Sequence, residues 1–380
     1  MKFVFCIYNF VDEKLPLQPW LTINEVASRM VSAGHDVHIV TDTHDDSVSP
    51  YNLHVIKSLR GSNKAEIYSV IDKIAPDLIV TLVTPLNLAT GGWIQRYSTI
   101  ETVAFSSYPF YSISELIRAI PHVRFTELKS YFRQVLVPGF IWKAKLRKNY
   151  SCVICQSDSG KKRLEKLVGS GIDIHSIPPG INLDNWKPQQ TSDDKSTALK
   201  LLYLGTASDI RGFGVCIKAY ASLAGQDVLL NVLARGATVE QVNTISDKLT
   251  SMGVRETTEL IGGWMDREEM ITYISKADLV ILPFVLVPSE LPVSVMEVIA
   301  CGTPVVTTDI DGLPSTVGSA GVIVKQGSCS SLVEAIKHIR DNREKLDELK
   351  DHCIAKTERM YGWDTMYRLW LETLSINNET

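Results

Sequence analysis

Short apolar runs alternate with segments of helical period along the chain, in two consecutive series, and this alternation constrains the fold more than any other feature. Such a pattern builds parallel strands, each followed by a helix, with helices covering both faces of the sheet, so the chain reads as α/β. In the first series, strands are expected near 2–8, 36–41, 53–57, 77–83, 101–105, 151–156 and 174–177. The first intervening helix runs from about Trp20 to Ala33 and is closed by Gly34, a residue suited to the left-handed turn that ends helices.

The second series places strands at 199–204, 227–233, 258–261, 278–283, 303–307 and 321–324, and helices at 212–224, 238–251, 266–275, 292–301 and 329–341. Between the series lies a polar stretch from Gln189 to Thr197, the best linker candidate. The expected organisation is therefore two Rossmann-like, doubly wound domains, 1–182 and 197–362, with a final helical stretch near 363–380 that follows completion of the second sheet. In open parallel sheets ligands sit beyond the carboxyl ends of the strands, so two facing sheets place a substrate in an interdomain cleft.

Other classes fall away quickly. No apolar stretch approaches the roughly 18–20 residues needed to cross a bilayer. The apolar start, Met1 to Tyr8, runs into Asp12-Glu13-Lys14 without a small-residue cleavage site and reads as a buried strand rather than a leader. The seven cysteines (Cys6, Cys152, Cys155, Cys216, Cys301, Cys329, Cys353) are odd in number and scattered, as expected of reduced thiols in a cytoplasmic protein. Cys152 and Cys155 form the one close pair, and without a second pair or a histidine cluster they read as strand residues rather than metal ligands. No metal is expected.

The formal charge of −4 conceals an asymmetry: residues 1–182 carry a net +4, residues 183–380 a net −8, and residues 118–166 alone +9. From Arg118 to Lys148 the cations are interleaved with Phe125, Tyr131, Phe132, Leu136, Phe140 and Trp142. Two readings stay open for 118–148: an interfacial segment over anionic lipid, or helices packed on the first sheet with a solvated basic face. Nucleic acid is not expected, because no recognition motif accompanies the charge and the whole chain is acidic.

The loop after the first strand, Asn9 to Glu13, lacks GxGxxG, and no GxxxxGK[ST] occurs, which disfavours a dinucleotide dehydrogenase or a P-loop nucleotidase. The informative segment is Leu282 to Pro314. There a buried strand ends at Pro283, a loop follows, and a helix begins at Pro292 with Glu297 in its second turn, before Gly302-Thr303-Pro304 leads into another buried strand. Proline suits a first helical position, and the free amides there, with the helix dipole, form an anion site fit for a diphosphate. A glutamate one turn on can accept from vicinal hydroxyls, as on a ribose, or simply face solvent.

This segment resembles the nucleotide-sugar site of the retaining glycosyltransferases of family 4, which have the GT-B fold: the match is Glu297, Ala300, Gly302, Pro304 and Val306, in the family's Glu and Ala-x-Gly-x-Pro-Val-Val pattern. Ala33 to Thr41, Ile177 to Asn182, Leu202 to Gly205 and Trp363 with the helix behind it resemble, in order, further landmarks of the family. The resemblance implies a nucleoside diphosphate sugar as donor, with no cofactor, and a glycan or lipid-linked acceptor. It assigns the ribose to Glu297, and it assigns sugar and diphosphate to the backbone of Leu291, Pro292, Val293 and Ser294, with the amides of Val293 and Ser294 the better donors because Pro292 has none. Gly262-Gly263-Trp264 matches the loop that meets the base, and Gly205-Thr206 with Arg211 the diphosphate loop.

Three departures from the pattern stand out. Where the family has its first glutamate this chain has Ser289, with Glu290 one place late, so either is a candidate for the sugar. Where the family has an arginine this chain has Thr206, leaving Arg211 as the second cation. Arg235, at the end of the next strand, is the candidate to compensate. Where the family often has a histidine in the first domain, this chain offers Ser107 or Tyr108; His35 and His38 read as structural. These losses keep a rival open, a degenerate partner subunit that binds nucleotide sugar without turnover. An epimerase of the same fold fits the segment less well.

Overall fold

The computed structural model describes residues 1–43, 49–59, 64–189 and 197–376. The first half forms seven strands: β1 (Lys2–Cys6), β2 (Asp36–Thr41), β3 (Asn52–Val55), β4 (Leu78–Leu82), β5 (Glu101–Phe105), β6 (Cys152–Cys155) and β7 (Asp173–Ser176). The second half forms β8 (Leu199–Leu204), β9 (Val228–Arg235), β10 (Thr258–Gly263), β11 (Leu279–Leu282), β12 (Val305–Thr308) and β13 (Gly321–Val324). Among the described residues the strands pair in parallel, in the orders β3-β2-β1-β4-β5-β6-β7 and β10-β9-β8-β11-β12-β13. The two sheets are those of a GT-B fold.

Each sheet reverses its winding beside its first strand. β1 lies between β2 and β4, and β8 between β9 and β11, so the crevices at the carboxyl ends of β1/β4 and β8/β11 are the switch points where ligands bind. The loops that leave β8 and β11 carry Gly205 to Arg211 and Pro283 to Pro292.

Several bounds differ from the sequence expectation. β9 and β10 extend to Arg235 and Gly263, further than the apolar runs, because the Gly262 and Gly263 positions pair with Ala234 and Arg235 and carry the ladder into the loops. The strand expected at 303–307 begins only at Val305, since Thr303-Pro304 finishes the turn from Gly302. Pro292 is not the first helical residue but the residue before it: it keeps extended backbone (ψ 114°), and the helix is Val293–Ala300. The helix Arg343–Thr357 was not expected, because its charged sequence hides an apolar stripe of Leu346, Leu349 and Cys353. The linker positions 190–196 and the end, 377–380, lie outside the described residues.

Two packing features tie the halves together. The helix Trp363–Thr373 leaves the second sheet and packs on the first, where the fully buried Trp370 ring lies 5.3 Å from that of Phe105. Gly180 makes room for it, since a Cβ there would stand 2.7 Å from the Trp363 Cα. In return, Leu116, Ala119, Leu128 and Tyr131 of the helices Ile113–Ala119 and Phe125–Val135 join the hydrophobic core of the second half. The interdomain contact is thus partly apolar and continuous with that core.

Candidate active site

The loop after β8 is built around a glycine that an arginine needs. Gly205 ends β8 at φ +111°, a conformation that other residues rarely adopt, and a Cβ there would come 2.7 Å from the Arg211 Nη2. The guanidinium therefore lies across bare backbone, with its carbon 5.1 Å from the centre of the Phe284 ring. Its Nη2 donates weakly to the Leu204 carbonyl (3.4 Å) and the Ser294 hydroxyl (3.5 Å), while Nε is buried with no partner among the described residues. Gly212 has a stricter reason: a Cβ would lie 1.8 Å from the Pro283 carbonyl oxygen.

Ser294 brings the helix Val293–Ala300 to this arginine. The amides of Val293 and Ser294 lead that helix, where no intrahelical carbonyl reaches them, whereas Val295 already donates to the Pro292 carbonyl at 3.0 Å. One turn later stands the half-buried Glu297. Burial pushes its carboxyl up to about 7, against the pull of Arg235, Arg267 and Arg211. Three guanidinium groups from three separate loops and helix starts thus act on one carboxyl, and Arg211 stands at the helix start through Ser294.

Arg235 ends β9 in register with Gly263, and its guanidinium lies 5.3 Å from the centre of the Trp264 ring. Trp264 itself is 77% exposed, a large apolar face left open beside a cation. Arg267, the first residue of the helix Arg267–Lys276, was missed by sequence reading. The capping Asp266 predicts a helix there, but nothing local tells which side the next residue faces. Thr206 supplies no charge: it is exposed, and its carbonyl accepts from the Tyr203 hydroxyl at 2.9 Å.

The structure does not bring the remaining candidates to open space. The Ser289 hydroxyl is buried and donates to the Leu291 carbonyl at 3.5 Å. Leu291 and Pro292 are buried as well. Glu290 is fully buried and turned away from the arginines: its Oε2 accepts from the Gln156 amide (2.8 Å) and the Ser157 hydroxyl (3.3 Å) of the first half. A glutamate offered to a sugar needs its carboxylate free, so the expected contact of Glu290 is corrected. Ser107 is buried, with its carbonyl taken by the Glu290 amide at 2.9 Å. Tyr108 stacks on Tyr131 (6.4 Å between ring centres) and meets Phe110 edge-on, and burial drives its phenol well up. Its hydroxyl is enclosed in that aromatic cluster rather than directed at a sugar.

A model of the family described as glycosyl transferases group 1 matches residues 184–358. A glycogen synthase of Mycobacterium tuberculosis is 26% identical over 224 residues, 58% of this chain and 53% of its own. A D-inositol 3-phosphate glycosyltransferase of Xylanimonas cellulosilytica is 30% identical over 225 residues, 53% and 51%. The chain spans about half the length of the curated relatives it matches. Among solved structures, sucrose-phosphate synthase of Thermosynechococcus elongatus superposes with a TM-score of 0.76 at 16% identity, over 99% of this chain and 100% of that one. HepE of Anabaena, solved with UDP and glucose, gives a TM-score of 0.71 at 16% identity over 99% of each chain. Residues 184–358, which carry Arg211, Arg235, Arg267 and Glu297, are thus similar to the glycosyl transferases group 1 family, and the chain as a whole adopts the GT-B fold.

Proposed function

We propose that the protein is a retaining glycosyltransferase that moves a sugar from a nucleoside diphosphate donor to a hydroxyl of a glycan or lipid-linked acceptor. The observation that carries this reading is the convergence of Arg211, Arg235 and Arg267 on Glu297 at the start of the helix Val293–Ala300. Fixed cations and aligned amides stabilise the charge that develops on a leaving diphosphate, and removing one such donor costs on the order of 100–1000-fold in rate. In this reading Arg211 and the Val293 and Ser294 amides hold the diphosphate, and Arg235 replaces the charge that Thr206 does not provide. Glu297, once ionised, accepts from the ribose hydroxyls, and Trp264 offers its open face to the base. These groups carry the phosphate charge without a divalent ion. Residues 197–362 form the donor side, and 1–182 with the final helix form the acceptor side.

The same reading accounts for the basic segment. Ile113 and Ile117 lie exposed on one helix with Ile120 just past its end, and Phe125, Lys129 and Arg133 share a face of the next with Leu136 just past its end, Leu136 being 71% and the nearby Phe140 74% exposed. Some of the cations are spent internally: Lys145 donates to the Ala89 carbonyl (2.6 Å), and Arg147 to those of Val168 (2.6 Å) and Ser170. Arg118, Lys129, Arg133 and Lys148 remain exposed around these apolar residues. Such a face fits an anionic membrane surface that presents a lipid-linked acceptor. Among the described residues no helix is long and apolar enough to cross a membrane.

Incubation with a panel of sugar nucleotides, reading released nucleoside diphosphate, tests the assignment. Turnover with one donor, reduced about 100-fold or more by Glu297→Gln and by Arg235→Ala and unaffected by a chelator, is the expected result, with proton NMR of the product showing the donor's anomeric configuration. Binding without release by any donor and acceptor would instead support a non-catalytic partner subunit. For the membrane surface, sedimentation with phosphatidylglycerol vesicles is expected to carry the wild type down and to leave Leu136→Ser/Phe140→Ser in solution.

A further inference from the structure

Two carboxyl groups sit where the halves of the molecule meet, outside the diphosphate site. Glu290 reaches from the donor loop to the start of the helix Asp158–Val168, where its Oε2 accepts from the Gln156 amide at 2.8 Å and the Ser157 hydroxyl at 3.3 Å. Its own amide donates to the Ser107 carbonyl, so side chain and backbone both cross the boundary. Asp311, also from the second half, holds φ +47°, unusual for a residue with a Cβ. Both of its carboxylate oxygens and the Glu290 Oε1 are buried and lack a hydrogen bond of ordinary geometry among the described residues; the Ser159 hydroxyl and the Gly312 amide stand beside Asp311 and favour its charged form, but burial outweighs them. The fit is close: a methyl on Gly160 would lie 2.5 Å from the Glu290 Oε2, and one on Gly312 3.0 Å from the Ser157 Cβ.

Buried carboxylate oxygens without donors are costly when charged, and two neighbouring carboxyls do not both ionise cheaply. Arg163 is the cation beside them, but it is committed to Glu115 through bonds of 2.7 and 3.2 Å and to the Phe110 carbonyl. Glu115 and Tyr111 face Asp311 from the first half, and Cys155 faces Glu290, with Asp158 and Lys161 beyond it. None of these supplies the missing donors. A proton does.

We propose that Glu290 and Asp311 form a latch between the halves: with a proton on the pair the donor loop locks onto the helix Asp158–Val168, and with both carboxyls charged it releases and the cleft opens. Burial holds both groups above the ordinary carboxyl range, Asp311 at about 6 and Glu290 well up, each raised further by its acidic neighbours. Opening returns them to water. The closed form is therefore fully favoured below a pH of about 4 and loses ground as pH rises through 6, by about tenfold in closed-to-open ratio per pH unit for each proton released. The inference rests on interface geometry and not on the donor chemistry proposed above.

Small-angle scattering of the full chain without ligand, from pH 5 to 8, tests it. The radius of gyration of the wild type is expected to rise with pH, while Glu290→Gln/Asp311→Asn stays compact throughout. Gly160→Ala, which pushes a methyl against the Glu290 carboxylate, is expected to be open already at pH 5. Near-ultraviolet circular dichroism checks that each variant is folded; if the double variant is not, Glu290→Gln alone is read by the same criterion. A wild-type radius that does not change with pH, or a folded carboxamide variant that expands in parallel with the wild type, overturns the latch.

Discussion

Arg211 and Glu297 show how much a single residue owes to its neighbours. Arg211 has its place because Gly205 has no side chain, and its spare Nε is directed by packing on Phe284. Gly205→Ala is expected to displace the guanidinium, weakening nucleoside diphosphate binding by roughly 10- to 100-fold in calorimetry, at a stability cost of about 1–2 kcal/mol from the positive φ. Glu297 makes a second prediction. Its carboxyl is raised to about 7 by burial, so it is largely protonated below that pH and ionised above it. A carboxylate that must accept from ribose hydroxyls binds better when charged. Donor affinity is therefore expected to rise from pH 6 to 8 and to lose that dependence in Glu297→Gln. For folding the sign is opposite: a raised carboxyl favours the native state most below its ordinary range, near 4.5, and loses that contribution as pH rises through about 7. Glu297 was legible as a candidate from the Gly-x-Pro-Val-Val turn that follows it. The turn of Glu290 to the first half was not, because its partners Gln156 and Ser157 are remote in the chain.

At the level of elements, helix starts and strand ends do most of the positioning. The helix Val293–Ala300 begins where Pro292, in extended backbone, hands over to Val293, and this turn points the leading amides toward the loop after β8. The register of β9 with β10 places Arg235 opposite Gly263, which is why the Arg235–Trp264 contact exists. Period and capping residues made these elements readable; their facing did not follow, and Arg267 escaped notice for that reason. The final helix, Trp363–Thr373, was readable from its aromatic and apolar spacing. Its Trp370 fills the first core rather than the second, so Trp370→Ala is expected to cost about 3–5 kcal/mol in urea unfolding.

For the whole molecule, specific contacts fix the relation of the two halves. Tyr111 ties them directly: its hydroxyl donates to the Val287 carbonyl at 3.3 Å and accepts from the Val287 amide at 2.7 Å, in the middle of the loop after β11. Arg124 adds an ion pair to Asp209 at 3.2 Å across the same boundary. The basic segment thus packs on both halves and keeps an exposed face, where the sequence offered either a lipid-facing segment or helices packed on the first sheet. Its charge count gave no means of telling cations spent on Ala89, Val168 or Glu115 from those left at the surface. What the sequence determined by itself was the architecture: apolar period and turn residues are local, and they dictate two parallel sheets with ligands at their carboxyl ends. Only the tertiary structure decided which residues meet there. Glu297 gathers three arginines and Glu290 turns to the opposite half because side-chain facing, burial and register depend on contacts between segments far apart in the chain, which no local pattern encodes.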